Sequence, residues 1–589
     1  MVSASDLAVQ QQLIVNLYTS CFSSCSDPKL FMTRYQQSIV SLKTIIIQES
    51  APSIQKAFFF LLKQLFIFTV YCRDIYGGLG RRDISQSMLF IWNYHFPVPT
   101  AKCIHMMVLP LERHPPYGSW RDIKALCLHI RTFSEKREHD PFLDTCIAIM
   151  NHQLDQDNTN WANALDKYIQ KQNTSWEIPY PVPAETNISL VCKWIPREKS
   201  AYGWLFELCA IQFIRAFRPQ YLQFIRGPQD ERLKLALKKG KKEYRQIISR
   251  LSKAWDTVQI KQCNDQWNTI DPEHIPMNAM MSQQQALLNI SSKGTPRKNT
   301  LQNKDRNLCA SKIQAFWLTH KTNNVVFVSM GLIIKKAIRT HSTVEKNRFE
   351  GLWNKVLSQI QPMSFVFPIL DLSLFVNCTE IFYHHLGMAL AVACKSTLFG
   401  KEKRLLCFDS LPHFINITGN GDSGGNQIQS MMSIMKPIYH QHHIGSSIEK
   451  ACSMFVDTVQ KSELKEDDYD KIVLMIFSSY HHSKFQTVQN IFDNAGMKVP
   501  TIFWTALDDC GGNIMKECDD KHFFTINQGP IPIVGYHNHI LSQISQIQPE
   551  LVRHMTPYSF FTSILNNPRY QPIDNYFSGV LQGNLKVHP

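Results

Sequence analysis

The chain has 589 residues, of which 44% are hydrophobic, 11% aromatic and 19% charged. That length exceeds what one hydrophobic core fills, so two or three domains are expected, and the composition excludes a chain disordered throughout. A formal charge of +14, from 62 Lys and Arg against 48 Asp and Glu, creates a field that favours polyanions or an anionic surface as partners.

The opening Met1-Val-Ser-Ala-Ser-Asp-Leu lacks the basic-then-apolar order of a secretory signal, so a reducing, cytoplasmic setting is expected. Sixteen cysteines are scattered singly, and Cys21 and Cys25 have no second pair at zinc-finger spacing. They are expected to be reduced and mostly buried. From residue 5 to about 285 apolar side chains recur at helical spacing, as in Leu61, Leu62, Leu65 and Phe66, and again in Leu205, Leu208, Ile211, Phe213 and Ile214. Residues 1–285 are therefore predicted to form a helical domain, with a HEAT-like solenoid as one arrangement even though no clean repeat is visible. Within it the most apolar run, Ala57 to Cys72, is short for a span and contains Lys63 and Gln64, which predicts a buried helix and no membrane span.

Between 226 and 261 eleven Lys or Arg face four Asp or Glu, on a stretch whose Leu233, Leu237, Tyr244, Ile247, Ile248 and Leu251 have amphipathic spacing. Lys238, Lys239, Lys241, Lys242 and Arg245 are the candidate polyanion-binding residues, and RNA is the partner class their charge favours. Residues 291–306 carry almost no apolar side chain and are expected to be a mobile basic loop within a connecting segment, 286–360.

The rhythm changes after 364. Short β-rich runs at Ser364–Leu370, Arg404–Phe408, His413–Thr418, Lys471–Phe477 and Thr501–Thr505 alternate with helical patterns at about 379–396, 446–460 and 484–495. Such alternation predicts an α/β domain over 361–548, a doubly wound sheet whose ligands would sit at the carboxyl ends of the strands. Residues 549–589 are then a C-terminal extension.

Three strings in the first half stand out: Arg73-Asp-Ile-Tyr-Gly-Gly-Leu-Gly-Arg-Arg-Asp, Pro116-Tyr-Gly-Ser-Trp-Arg-Asp and Lys193-Trp-Ile-Pro-Arg-Glu-Lys-Ser. With them the chain resembles a family of unknown function from plants, fungi and large DNA viruses that couples a helical region to a von Willebrand factor A-like domain. The layout is also distantly similar to Ro/TROVE proteins, a resemblance that implies RNA binding. Gly77, Gly78 and Gly80 suit a tight turn before a helix opened by Arg81 and Arg82. No strand precedes these glycines and no Gly-Lys-Ser/Thr follows, so they do not make a nucleotide loop. Trp120, Trp194, Arg197 and Glu198 are expected to serve inter-helix packing and ion pairs.

Domains of the von Willebrand A type hold a divalent cation through Asp-x-Ser-x-Ser, a Thr and a further Asp, and that resemblance implies a metal site here. Asp371 and Ser373 keep the first two positions, Phe375 replaces the second Ser, Ser446 takes the Thr position, and Ser479 stands for the last Asp. Asp371, Ser373 and Ser446 thus form a degenerate site, too poor in anionic oxygen to hold Mg²⁺ tightly. No cofactor is otherwise expected. His440, His442, His443, His481 and His482 flank the same region and are expected to be surface-loop residues more than ligands of a softer metal.

No Gly-x-Ser-x-Gly, His-Glu-x-x-His or Walker-type loop occurs in its required context, so the expected class is a non-enzymatic scaffold. Two partner classes stay open: RNA, and protein, as for a structural or assembly component of a viral particle. An unrecognised hydrolase ranks behind both.

Overall fold

A computed structural model describes residues 4–21, 28–110, 114–172, 187–223, 231–255, 257–275, 277–291, 295–319, 329–339, 343–373, 379–417, 447–478, 484–505, 529–535, 538–547 and 549–584. Before the first strand the main helices are α1 (Ala4–Ser20), α2 (Pro28–Gln48), α3 (Pro52–Arg73), α4 (Arg82–His95), α5 (Pro97–Val108), α6 (Trp120–Phe133) and α7 (Pro141–Gln172). There follow α8 (Val191–Trp194), α9 (Gly203–Phe217), α10 (Glu231–Ala254), α11 (Lys304–Thr319), α12 (Met330–Arg339) and α13 (Thr343–Ser358). Proline opens α2, α3, α5 and α7, where the missing N–H breaks no helical bond. At α6 a capping box does the same job, the Ser119 N–H donating to Asp122 Oδ2 at 2.7 Å.

The strands are β1 (Val366–Asp371), β2 (Arg404–Phe408), β3 (His413–Asn416), β4 (Val473–Phe477), β5 (Thr501–Thr505) and β6 (Ile531–Ile533). Between and after them lie α14 (Thr379–Lys395), α15 (Ile448–Gln460), α16 (Phe485–Asn494), α17 (Asn538–Gln546), α18 (Pro557–Leu565) and α19 (Gln571–Asn584). The predicted strands and helices of this part coincide with the observed ones to within two residues, except β6, which the pattern did not signal. Among the described residues before 330, β structure is limited to isolated bridges, at His114 and between Ile290 and Pro296.

Chain order and compact units divide differently. One unit combines residues 1–84, 276–283 and 314–589, and the other combines 85–275 and 284–313. The first three helices therefore group with the sheet and not with the helices that follow them.

In the sheet-bearing unit the strand order is β3-β2-β1-β4-β5-β6, with β3 antiparallel to β2 and every other pair parallel. Strands β1 and β4 are buried along their whole length, as expected of parallel strands covered on both faces. On one face Phe367, Ile369, Leu406, Leu474, Ile476 and Trp504 pack against Phe455 and Val459 of α15 and Phe492 of α16. On the other, α14 lies over β1, and its His385 ring stands 6.2 Å from Phe477. The same unit includes the C-terminal helices: Phe560 of α18 meets Phe503 of β5, Phe561 meets Tyr18 and Phe68, and Phe577 of α19 stacks on Phe66 at 4.4 Å. Residues 549–584 are thus part of this core.

Helix α3 is, among the described residues, the one long and apolar enough to cross a membrane, and 56% of its most apolar window is buried. Its Gln64 is nearly inaccessible and bonds to Thr562 and Tyr558, so α3 is an interior helix of this unit. The glycine string folds back on its end. The Leu79 N–H donates to Tyr71 O and the Arg81 N–H to Cys72 O, with Gly80 at φ 66° and no space for a side chain at Gly78, where a Cβ would lie 2.0 Å from Tyr71 O. The turn encloses Asp74. That fully buried carboxylate receives both arms of Arg569 at 2.6 and 2.7 Å and the Tyr570 hydroxyl at 2.9 Å.

In the other unit α7 packs on α6, α9 and α10. Buried Asn151 of α7 donates to Cys209 O and Gln212 Oε1 and accepts from the Tyr244 hydroxyl at 2.8 Å, tying three helices with one amide. The stretch 291–306, expected to be a mobile loop, is tied down where it is described. Asn289 donates to Thr300 O and Asn307 Oδ1 and accepts from Thr300 Oγ1, while the Arg297 N–H donates to Asn289 O. Local side-chain bonds replace the missing apolar core there. All described cysteines are free thiols, and all but Cys263 and Cys394 are buried.

Candidate functional site at the carboxyl edge of the sheet

Strand order reverses between β1 and β4: from β1 the chain moves outward to β2 and β3, then returns to place β4 on the other side. Crevices at such a reversal, beyond the carboxyl ends of the strands, are where open α/β sheets bind ligands. Asp371, the last residue of β1, is fully buried there. Its Oδ1 accepts from the Ser373 N–H at 3.0 Å and the Ser373 hydroxyl at 2.6 Å, and its Oδ2 accepts from the Ser478 hydroxyl at 2.8 Å. Ser478 follows β4 and is fixed in turn by β5, its N–H donating to Thr505 Oγ1 at 3.1 Å and its carbonyl accepting from Trp504 Nε1 at 3.0 Å.

Among the described residues, three adjacent strand ends therefore share one polar cluster of a single carboxylate and three hydroxyls. With their protons donated to Asp371, the Ser373 and Ser478 hydroxyls present hard, neutral oxygens. One carboxylate is little charge with which to repay dehydration of Mg²⁺. Among the described residues no three His, Cys, Asp or Glu side chains group as a metal site.

Of the three residues expected to form the degenerate site, Asp371 and Ser373 are hydrogen-bonded to each other. Ser446 lies outside the described residues, as do Phe375, Ser479 and the five flanking histidines. Its neighbour Ser447 caps α15, its N–H bonded to Asp409 O at 2.9 Å and its hydroxyl accepting from the Lys450 N–H. Sequence reasoning assigned the polar position after β4 to Ser479 and overlooked Ser478 and Thr505. The available signal was their place at the ends of the apolar runs Val473–Phe477 and Thr501–Thr505.

Helix α10 buries Gly240, Tyr244, Ile247 and Leu251 and turns its lysines outward. Of the five candidate cations, Lys241 pairs with Glu207 and Arg245 with Glu198, so part of the charge is neutralised internally. Lys238, Lys239 and Lys242 are exposed, Lys239 standing 5.3 Å over the Tyr221 ring. Trp120 is buried and Glu198 pairs as noted, whereas Arg197 is exposed. No family model, curated protein or solved structure matches the chain.

Proposed function

We propose that the chain is a non-enzymatic binding scaffold whose sheet is a von Willebrand A-like domain that engages a protein partner at its carboxyl edge without a tightly held cation. The observation that carries this reading is the buried Asp371–Ser373–Ser478 cluster at the reversal of a β3-β2-β1-β4-β5-β6 sheet. Cation-dependent domains of this type place a second carboxylate after the fourth strand, where this chain has a serine. The carboxylate that remains is already satisfied by three donors, which favours a preorganised polar floor over an ion cage.

RNA association of the helical unit, read as a HEAT-like solenoid, is favoured as a second activity by the exposed Lys238, Lys239 and Lys242. Affinity capture from native extract tests the two together. With nuclease and chelator present, a defined protein partner should remain on the wild-type chain and be lost from a Ser373→Arg variant that fills the crevice. Loss of every partner on nuclease treatment alone would favour RNA and remove the sheet edge from the account.

A further inference from the structure

Helix α6 presents Arg121, Lys124, Leu128 and Arg131 along one stripe, spaced i, i+3, i+7 and i+10 and about 15 Å long. The three cations lie over three rings of the segment 194–204. Arg121 is 5.7 Å from the Trp194 centroid, Lys124 is 4.2 Å from Tyr202 and Arg131 is 4.4 Å from Trp204. Just before the first ring Lys193, and between the first and second Arg197 and Lys199, are exposed. Acidic compensation is local and partial: Glu138 takes Arg131 at 2.7 Å, Glu198 takes Arg245 and Glu207 takes Lys241. Arg121, Lys124, Lys193, Arg197 and Lys199 have no carboxylate at ion-pair distance among the described residues. The cost of this arrangement registers on Lys124, whose ammonium is held below the usual lysine range by burial and then by the charge of Arg121.

We infer that this cation–aromatic face of α6 and the 193–204 segment binds single-stranded RNA, the lysines and arginines taking phosphates and the ring-backed guanidinium planes stacking with bases. The inference rests on the RNA-associated reading and moves its centre from α10 to α6. Charge complementarity selects a polyanion, since these five cations have no acidic partner among the described residues. Flat groups interleaved with the charge select unpaired bases, because an A-form duplex hides its base faces and offers only backbone and groove edges.

Fluorescence anisotropy with a labelled oligouridine of about fifteen nucleotides, free or annealed to oligoadenosine, tests this. The single strand should bind at least about tenfold more tightly than the duplex. Reversing Lys193, Arg197 and Lys199 together to Glu, all on an exposed segment, should weaken it about tenfold and flatten the slope of log affinity against log salt by about 2. Circular dichroism of the variant confirms the fold. If the wild-type chain binds and reversal of Lys238, Lys239 and Lys242 abolishes binding while the 193–199 reversal changes it less than about twofold, this face is excluded and RNA association stands. If the wild-type chain binds neither RNA, both fall. Equal affinity for duplex, or for poly-glutamate as a model acidic protein, overturns the assignment to single-stranded RNA.

Discussion

Asp74 shows how a residue that looks like part of a loop motif acts as a structural anchor. It is buried with Arg569 and Tyr570; burial pushes the Tyr570 hydroxyl's pKa well up, and the charge of Asp74 raises it further. Removing the guanidinium strands a buried carboxylate, so Arg569→Met should destabilise the sheet-bearing unit by about 3–5 kcal/mol in urea unfolding, and adding Asp74→Asn should recover part of that loss. His129 offers a second single-residue test. Burial lowers its pKa from 6.5 to about 4, and its Nε2 has no hydrogen-bond partner among the described residues, with Phe133 4.4 Å from its ring. Because the folded form resists protonation, its contribution is full above pH 6.5 and is lost as pH falls through 4, amounting to at most about 3 kcal/mol. His129→Phe should flatten the pH dependence of the helical unit's urea midpoint over that interval. An unchanged profile would assign the titration elsewhere.

At the scale of elements, closely approached helices distinguish two glycines. At Gly387 of α14 a Cβ would lie 2.8 Å from the Gly331 amide nitrogen, and at Gly331 of α12 one would lie 2.6 Å from His384 Cα, so backbone faces backbone. At Gly240 of α10 the obstacle is the end of the Ile214 side chain, 2.5 Å away. Gly387→Ala should therefore cost about 1–3 kcal/mol by overpacking, while Gly240→Ala should cost less because Ile214 can rotate and alanine favours the helix. Equal thermal shifts would contradict this.

The strands and crossover helices after 364 were legible because a change of apolar period marks them directly. The short β6 was not: Ile531-Pro-Ile is only three residues long and contains a proline, so it lacks the longer apolar run that made β1 legible despite Pro368. The site was legible in part. Asp371 and Ser373 belong to a local motif, whereas Ser478 and Thr505 join them only through parallel strand pairing across more than a hundred residues, which no local pattern encodes.

For the molecule as a whole, sequence order conceals which segments fold together. Helices α1–α3 and α18–α19 complete the core of the sheet-bearing unit, so a cut at residue 548 should expose Phe66, Phe68 and Phe503 and yield aggregated protein, detectable by size-exclusion chromatography. The basic charge, by contrast, is spread over surfaces and acts on partners more than on the fold.

On the proposed reading the sheet edge binds through a preorganised polar surface and not through a resident cation. Isothermal titration of the purified chain with Mg²⁺, beside an Asp371→Ala variant, distinguishes the two. No micromolar binding to either protein is expected, because Asp371 is the sole carboxylate among the described groups of the cluster. Micromolar affinity in the wild-type chain that disappears in the Asp371→Ala variant would contradict it and establish the edge as a cation-dependent adhesion site.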